Sequence, residues 1–105
     1  MVKKLPSQQE QVDLLDNLLH TMVLAIVEHT DQVAFDSKVI MSQYYVGVRV
    51  AQSDMGLILG REGETADSIR RVLWGACKKT ELKIEVVFST AGGESVSINR
   101  QRRDR

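Results

Sequence analysis

The sequence predicts an α+β fold in which helices pack on one face of a three-stranded sheet. Three observations carry that expectation: an apolar stripe at helical spacing near the N-terminus, two later segments whose side chains alternate apolar and polar, and between them a second helical stripe introduced by paired glycines. The 105 residues include 43% hydrophobic residues and one proline, the composition of a single globular domain. A chain of this size buries about two-thirds of its extended surface, enough for one modest core.

Residues 9–30 form the first helix. Val12, Leu15, Leu19, Met22, Val23, Ile26 and Val27 recur at i, i+3, i+4 and i+7, and Ser7 followed by Glu10 has the form of a capping box at its start. Leu14, Leu18 and Leu24 widen the stripe beyond what a small sheet needs to cover, leaving two readings open: a contact with another copy, or simple exposure. Strands are expected at 33–41, around Val33, Phe35, Val39 and Ile40, and at 44–50, where Tyr44, Val46, Val48 and Val50 share one face. A short apolar element, 53–59, leads into Gly60-Arg61-Glu62-Gly63. Helical periodicity returns over 64–79, with Ala66, Ile69, Leu73, Ala76 and Cys77 on one face. The last strand, 82–88, alternates Leu82, Ile84, Val86 and Phe88 against Lys83, Glu85 and Val87. From Ser89 the chain turns Gly-, Ser- and Arg-rich and reads as a mobile basic tail, although Val96 and Ile98 have strand spacing. The expected organisation is a leader at 1–8, one domain at 9–88 and a flexible tail at 89–105.

Fourteen Lys and Arg balance fourteen Asp and Glu, which excludes a uniformly basic nucleic-acid binder. The balance hides an asymmetry. Up to Asp36 there are two basic and six acidic residues, so the remainder carries an excess of four positive charges. Cys77 is the only cysteine, no Cys/His spacing suits zinc, and no apolar run reaches transmembrane length, so a cytoplasmic protein is expected. His20 and His29 lie about 13 Å apart along one helix, too far to share a metal, and are read as solvated or capping. Trp74 and Met55 are read as packing residues, with a contribution to a partner surface the alternative for either. Nothing assembles a nucleophile, base and oxyanion site, and the expectation is a non-catalytic protein with no metal and no cofactor.

The GREG loop is the feature with chemistry. Two glycines between helices permit a tight reversal and close approach of another backbone, and the helix start behind them offers unpaired N–H groups to an anion. Glu64 and Asp67 suit the first helical turn through the macrodipole. Asp54-Met55-Gly56, Ile58-Leu59-Gly60, the GREG loop, Thr65-Ala66, Ile69-Arg70 and a strand after Lys78-Lys79 follow one another in an order that resembles the KH domain. The likeness is to the type II arrangement, α-β-β-α-α-β, of the small single-KH RNA-binding proteins of bacteria and the KH region of the Jag family. That resemblance implies single-stranded RNA, or less often DNA, held by its backbone at Gly60, Arg61, Glu62 and Gly63. Arg61 would be the phosphate partner and Thr65 a hydroxyl donor. Ile58, Ala66 and Ile69, with an aliphatic residue such as Ile84, would form an apolar floor, Lys78, Lys79 and Lys83 a basic rim, and Arg70 a further RNA-binding residue. Five aromatic residues are too few for a stacking platform of the RRM or OB kind. The alternative is a KH-fold module that pairs with itself or with another KH protein through the wide stripe of the first helix.

Overall fold

A computed structural model describes residues 7–78 and 80–98. The first helix, α1 (Gln8–Ile26), opens on the expected capping box: Glu10 N–H donates to Ser7 Oγ at 3.2 Å and Ser7 N–H to Glu10 Oε1 at 2.9 Å. Val12, Leu15, Leu19 and Val23 are buried along it. The helix stops at Ile26, four residues earlier than its apolar pattern predicts. Val27 is extended, and the N–H groups of Glu28 and His29, which a continuing helix would spend on its own carbonyls, donate instead to the Asp54 carboxylate at 3.1 and 2.9 Å.

Two strands follow, β1 (Ala34–Ile40) and β2 (Gln43–Val50), antiparallel and joined by a two-residue turn at Met41 and Ser42. Met41 takes a left-handed backbone, φ 59°, and is 89% exposed. Tyr44, Val46, Val48 and Val50 are buried on one face of β2 as the alternation predicts. The chain then crosses over through α2 (Met55–Leu59) and α3 (Glu64–Cys77) and returns as β3 (Lys83–Thr90), parallel to β2. A parallel neighbour requires such a crossover, and here α2, the GREG loop and α3 are the crossover itself. Met55, Ile58, Ala66, Ile69, Leu73 and Cys77 meet Ile84, Val86 and Phe88 in the core beneath α1.

Among the described residues the sheet has four strands, in the order β1-β2-β3-β4, not three. The fourth, β4 (Ser95–Ser97), pairs antiparallel with β3 across the turn after Thr90, within the stretch read as a mobile tail. Thr90 N–H donates to Glu94 C=O, Gly93 turns with φ 98°, and Ile98 is buried with its N–H on Val86 C=O. A short strand of two serines around one half-buried valine has little apolar signature of its own. Its place is secured by Ile98 and by the open edge of β3. The arginines expected in the basic tail, Arg100, Arg102, Arg103 and Arg105, lie outside the described residues.

Candidate nucleic-acid interface

The GREG loop is a tight turn with three left-handed residues in four. Gly60 has φ 76°, Glu62 φ 56° and Gly63 φ 79°. Gly60 N–H closes α2 on Gly56 C=O at 2.8 Å, and Gly63 N–H reaches Gly60 C=O at 3.1 Å. A side chain at Gly60 would stand 2.7 Å from the backbone nitrogen and Cβ of Thr65, so this position is closed to other residues by backbone conformation and by space. Gly63 has the conformational reason alone, since nothing lies within 4 Å of where its Cβ would be.

Behind the loop, α3 begins with Gly63 at its cap, which offers no side chain to the first turn, and Glu64 N–H donates to Arg61 C=O. A helix of 14 residues ending in this way presents positive potential to whatever sits against the loop. Arg61 is exposed and makes no ion pair or hydrogen bond among the described residues. Glu62 and Glu64 are exposed beside it, so the loop carries one cation and two carboxylates.

The remaining predicted site residues are spread over different environments. Ile58, Ala66, Ile69 and Ile84 are core residues, with Ile58 showing no exposed surface at all. They shape the surface from beneath. Thr65 is half-buried against Gly60. Arg70 is held by Asp67, its Nη2 at 2.9 Å from Oδ1, and its side chain is only 12% exposed. Lys83 is exposed but stands at the opposite end of α3 from the loop, a helix about 21 Å long. Lys79 lies outside the described residues. The structure therefore gathers Gly60, Arg61, Glu62, Gly63 and Thr65 at one end of α3 and leaves Lys83 at the other.

Two features were invisible in the spacing. Asp54 is fully buried and accepts the N–H groups of Glu28 and His29, with His29 Nδ1 3.3 Å from Oδ2. Burial alone would raise its pKa, but these donors hold the carboxyl below its ordinary value. Glu28, His29 and Asp54 also place three ligand atoms within 4.8 Å of one another, the one such group among the described residues. The Asp54 oxygens are already spent on N–H donors, and the cluster is a tie between the exit of α1 and the entry to α2. The histidines, read as solvated or capping, both have ordered partners: His29 on Asp54, and His20 stacked on Phe35 with ring centroids 3.6 Å apart.

Other polar groups serve packing. Tyr44 is buried and donates its hydroxyl to Asp16, and burial followed by that carboxylate pushes its pKa far up. Burial likewise raises the Cys77 thiol, as expected of a core cysteine. A hollow of about 180 Å³ over Gly47, between Lys38, Tyr45 and Glu85, lies on the open sheet face and shares no lining residue with the GREG loop. Among the described residues no helix is long and apolar enough to cross a membrane.

Residues 16–88, from the middle of α1 through Phe88 of β3, match the family model described as KhpA/KhpB, KH domain. The chain belongs to that family. Its curated relatives include the RNA-binding protein KhpA of Streptomyces coelicolor, 31% identical over 74 residues that cover 70% of this chain and 92% of the relative. The RNA-binding protein KhpA of Borreliella burgdorferi is 30% identical over 69 residues, 66% of this chain and 84% of its own. That of Halalkalibacterium halodurans is 25% identical over 72 residues, 69% and 95%. No solved structure gives a significant match. The family match accounts for the α1-β1-β2-α2-α3-β3 order, while β4 lies outside the matched span.

Proposed function

We propose that this chain is a non-catalytic binding module for single-stranded RNA that grips the phosphodiester backbone at Gly60-Arg61-Glu62-Gly63. The observation that carries the reading is the start of α3, with no side-chain cap, behind a loop of positive φ, with Arg61 beside it unpaired among the described residues. First-turn N–H groups and Arg61 are complementary to a phosphate, and the missing side chain at Gly60 lets the α2 end and α3 start lie close together. Thr65 holds that approach, while Ile58, Ala66, Ile69 and Ile84 keep the helices at fixed height over the sheet. Arg70, clamped by Asp67, contributes position more than free charge. Lys83 belongs to a rim that only a longer strand reaches. Relatives named as RNA-binding proteins support the same polymer. Single-stranded DNA shares the phosphate chemistry and would bind by the same loop.

The test is fluorescence anisotropy of a labelled single-stranded RNA with the wild-type chain and with one carrying Arg61→Asp and Glu62→Asp. At low salt the wild type binds and the variant loses at least tenfold in affinity. Absence of binding by the wild type, or equal binding by both, overturns the loop clamp. A second reading, self-pairing or pairing with another KH protein, draws on Leu14 and Leu24, which are 54% and 42% exposed on α1. Sedimentation showing a strict monomer at high concentration removes self-pairing.

A further inference from the structure

The only tryptophan of the chain is at the surface. Trp74 is 36% exposed, on the flank of α3 beside the buried row of Ala66, Ile69, Leu73 and Cys77. Helical spacing places Arg70 and Arg71 one turn before it and Lys78 one turn after it on the same strip, which begins in the first turn of the helix at Asp67. Asp67 orders both arginines. Arg70 Nη2 is 2.9 Å and Arg71 Nε 3.0 Å from its carboxylate. Arg71 spends only Nε there and its side chain is 73% exposed, so its terminal N–H groups have no partner among the described residues. Lys78 is exposed and likewise unpaired among them. The strip thus sets three cations and an open indole against one carboxylate.

We propose that this strip of α3 is a second contact site for single-stranded RNA, in which an unpaired base stacks on the Trp74 indole while Arg71 and Lys78 meet the flanking phosphates. The proposal rests on the RNA reading above and extends it. An aromatic ring among cations is the chemistry of a sequence-tolerant single-strand site, since every base has a face to stack and every linkage a charge. The strip is continuous with the loop site through the first turn of α3. Trp74 stands about 15 Å along the helix from Glu64, so a strand of about four nucleotides held at the loop is taken up there. Reaching the indole requires a longer one.

Trp74 reports on its own site because no other tryptophan contributes emission. The full chain is titrated with fluorescein-labelled oligoadenylates of four and ten nucleotides, following both tryptophan emission and anisotropy at low salt. The ten-mer quenches the emission with the same midpoint as the anisotropy change. Trp74→Leu, checked for unchanged far-UV circular dichroism, weakens the ten-mer by about 5- to 100-fold and the four-mer by less than twofold. Trp74→Phe, which keeps a ring, retains most of the affinity. Saturation by the ten-mer without quenching, or equal ten-mer affinity in Trp74→Leu, overturns the site. The chain with Arg61→Asp and Glu62→Asp separates the two readings. If it keeps quenching and ten-mer binding, the loop clamp fails and the Trp74 site stands. If it loses the four-mer while wild-type emission never responds, the loop stands and the Trp74 site fails.

Discussion

Glu62 concentrates the conflict between folding and binding into one residue. It is a non-glycine in a left-handed conformation, which costs roughly 1–2 kcal/mol, and it adds a carboxylate to the loop proposed to hold a phosphate. Glu62→Gly removes both penalties and gives back about 0.5–1 kcal/mol in backbone freedom. The expected outcome is a chain at least as stable to thermal denaturation as wild type that binds RNA several-fold more tightly, measured by circular dichroism and anisotropy. Residues of this kind were half legible in the sequence. The GxxG spacing showed where the loop is and why it needs glycines, but not that Gly60 is also forced by Thr65. Helical periodicity put Ala66, Ile69 and Cys77 inside correctly. It missed that Trp74, off the centre of that stripe, stays at the surface.

At the level of elements, the Asp54 tie links α1 to the crossover that carries the loop. Its carboxyl is held below the ordinary value, so the tie contributes stability above about pH 4 and loses it as the pH falls through the lowered folded value. Asp54→Asn should melt at a lower temperature than wild type at pH 7, and the gap should close as the pH is taken from 4 toward 2. A gap that stays constant over that range would show that the carboxylate charge is not what holds the turn. The tie could not be read from spacing because its donors lie 25 and 26 residues upstream of Asp54 and are backbone groups with no side-chain identity. The same reasoning explains β4. Long strands such as β2 and β3 announce themselves because alternation repeats four times on a buried face. Ser95–Ser97 offers one half-buried valine, and only pairing with β3 distinguishes it from a loop.

For the whole molecule, zero net charge becomes a statement about footprint. The loop carries one arginine unpaired among the described residues, and the α3 strip adds Arg71 and Lys78, so few phosphates would be neutralised along the proposed path. With a slope of about 0.7 per phosphate for single strands, two to four contacts give a fall in log affinity of about 1.5–3 per decade of salt. Anisotropy titrations between 20 and 200 mM salt check this, and a much steeper dependence would require contacts from residues outside the described ones.

The pairing of β2 with β3 also has a consequence for how the chain is born. Each residue of β2 finds its partner 40 positions later, Gln43 with Lys83 and Val50 with Thr90. On a ribosome, α1 and the β1-β2 hairpin emerge first with their apolar faces uncovered, and the central ladder cannot close until β3 has cleared the exit tunnel. The nascent chain therefore has only the β1-β2 ladder available until β3 emerges, and the central ladder and the core close late.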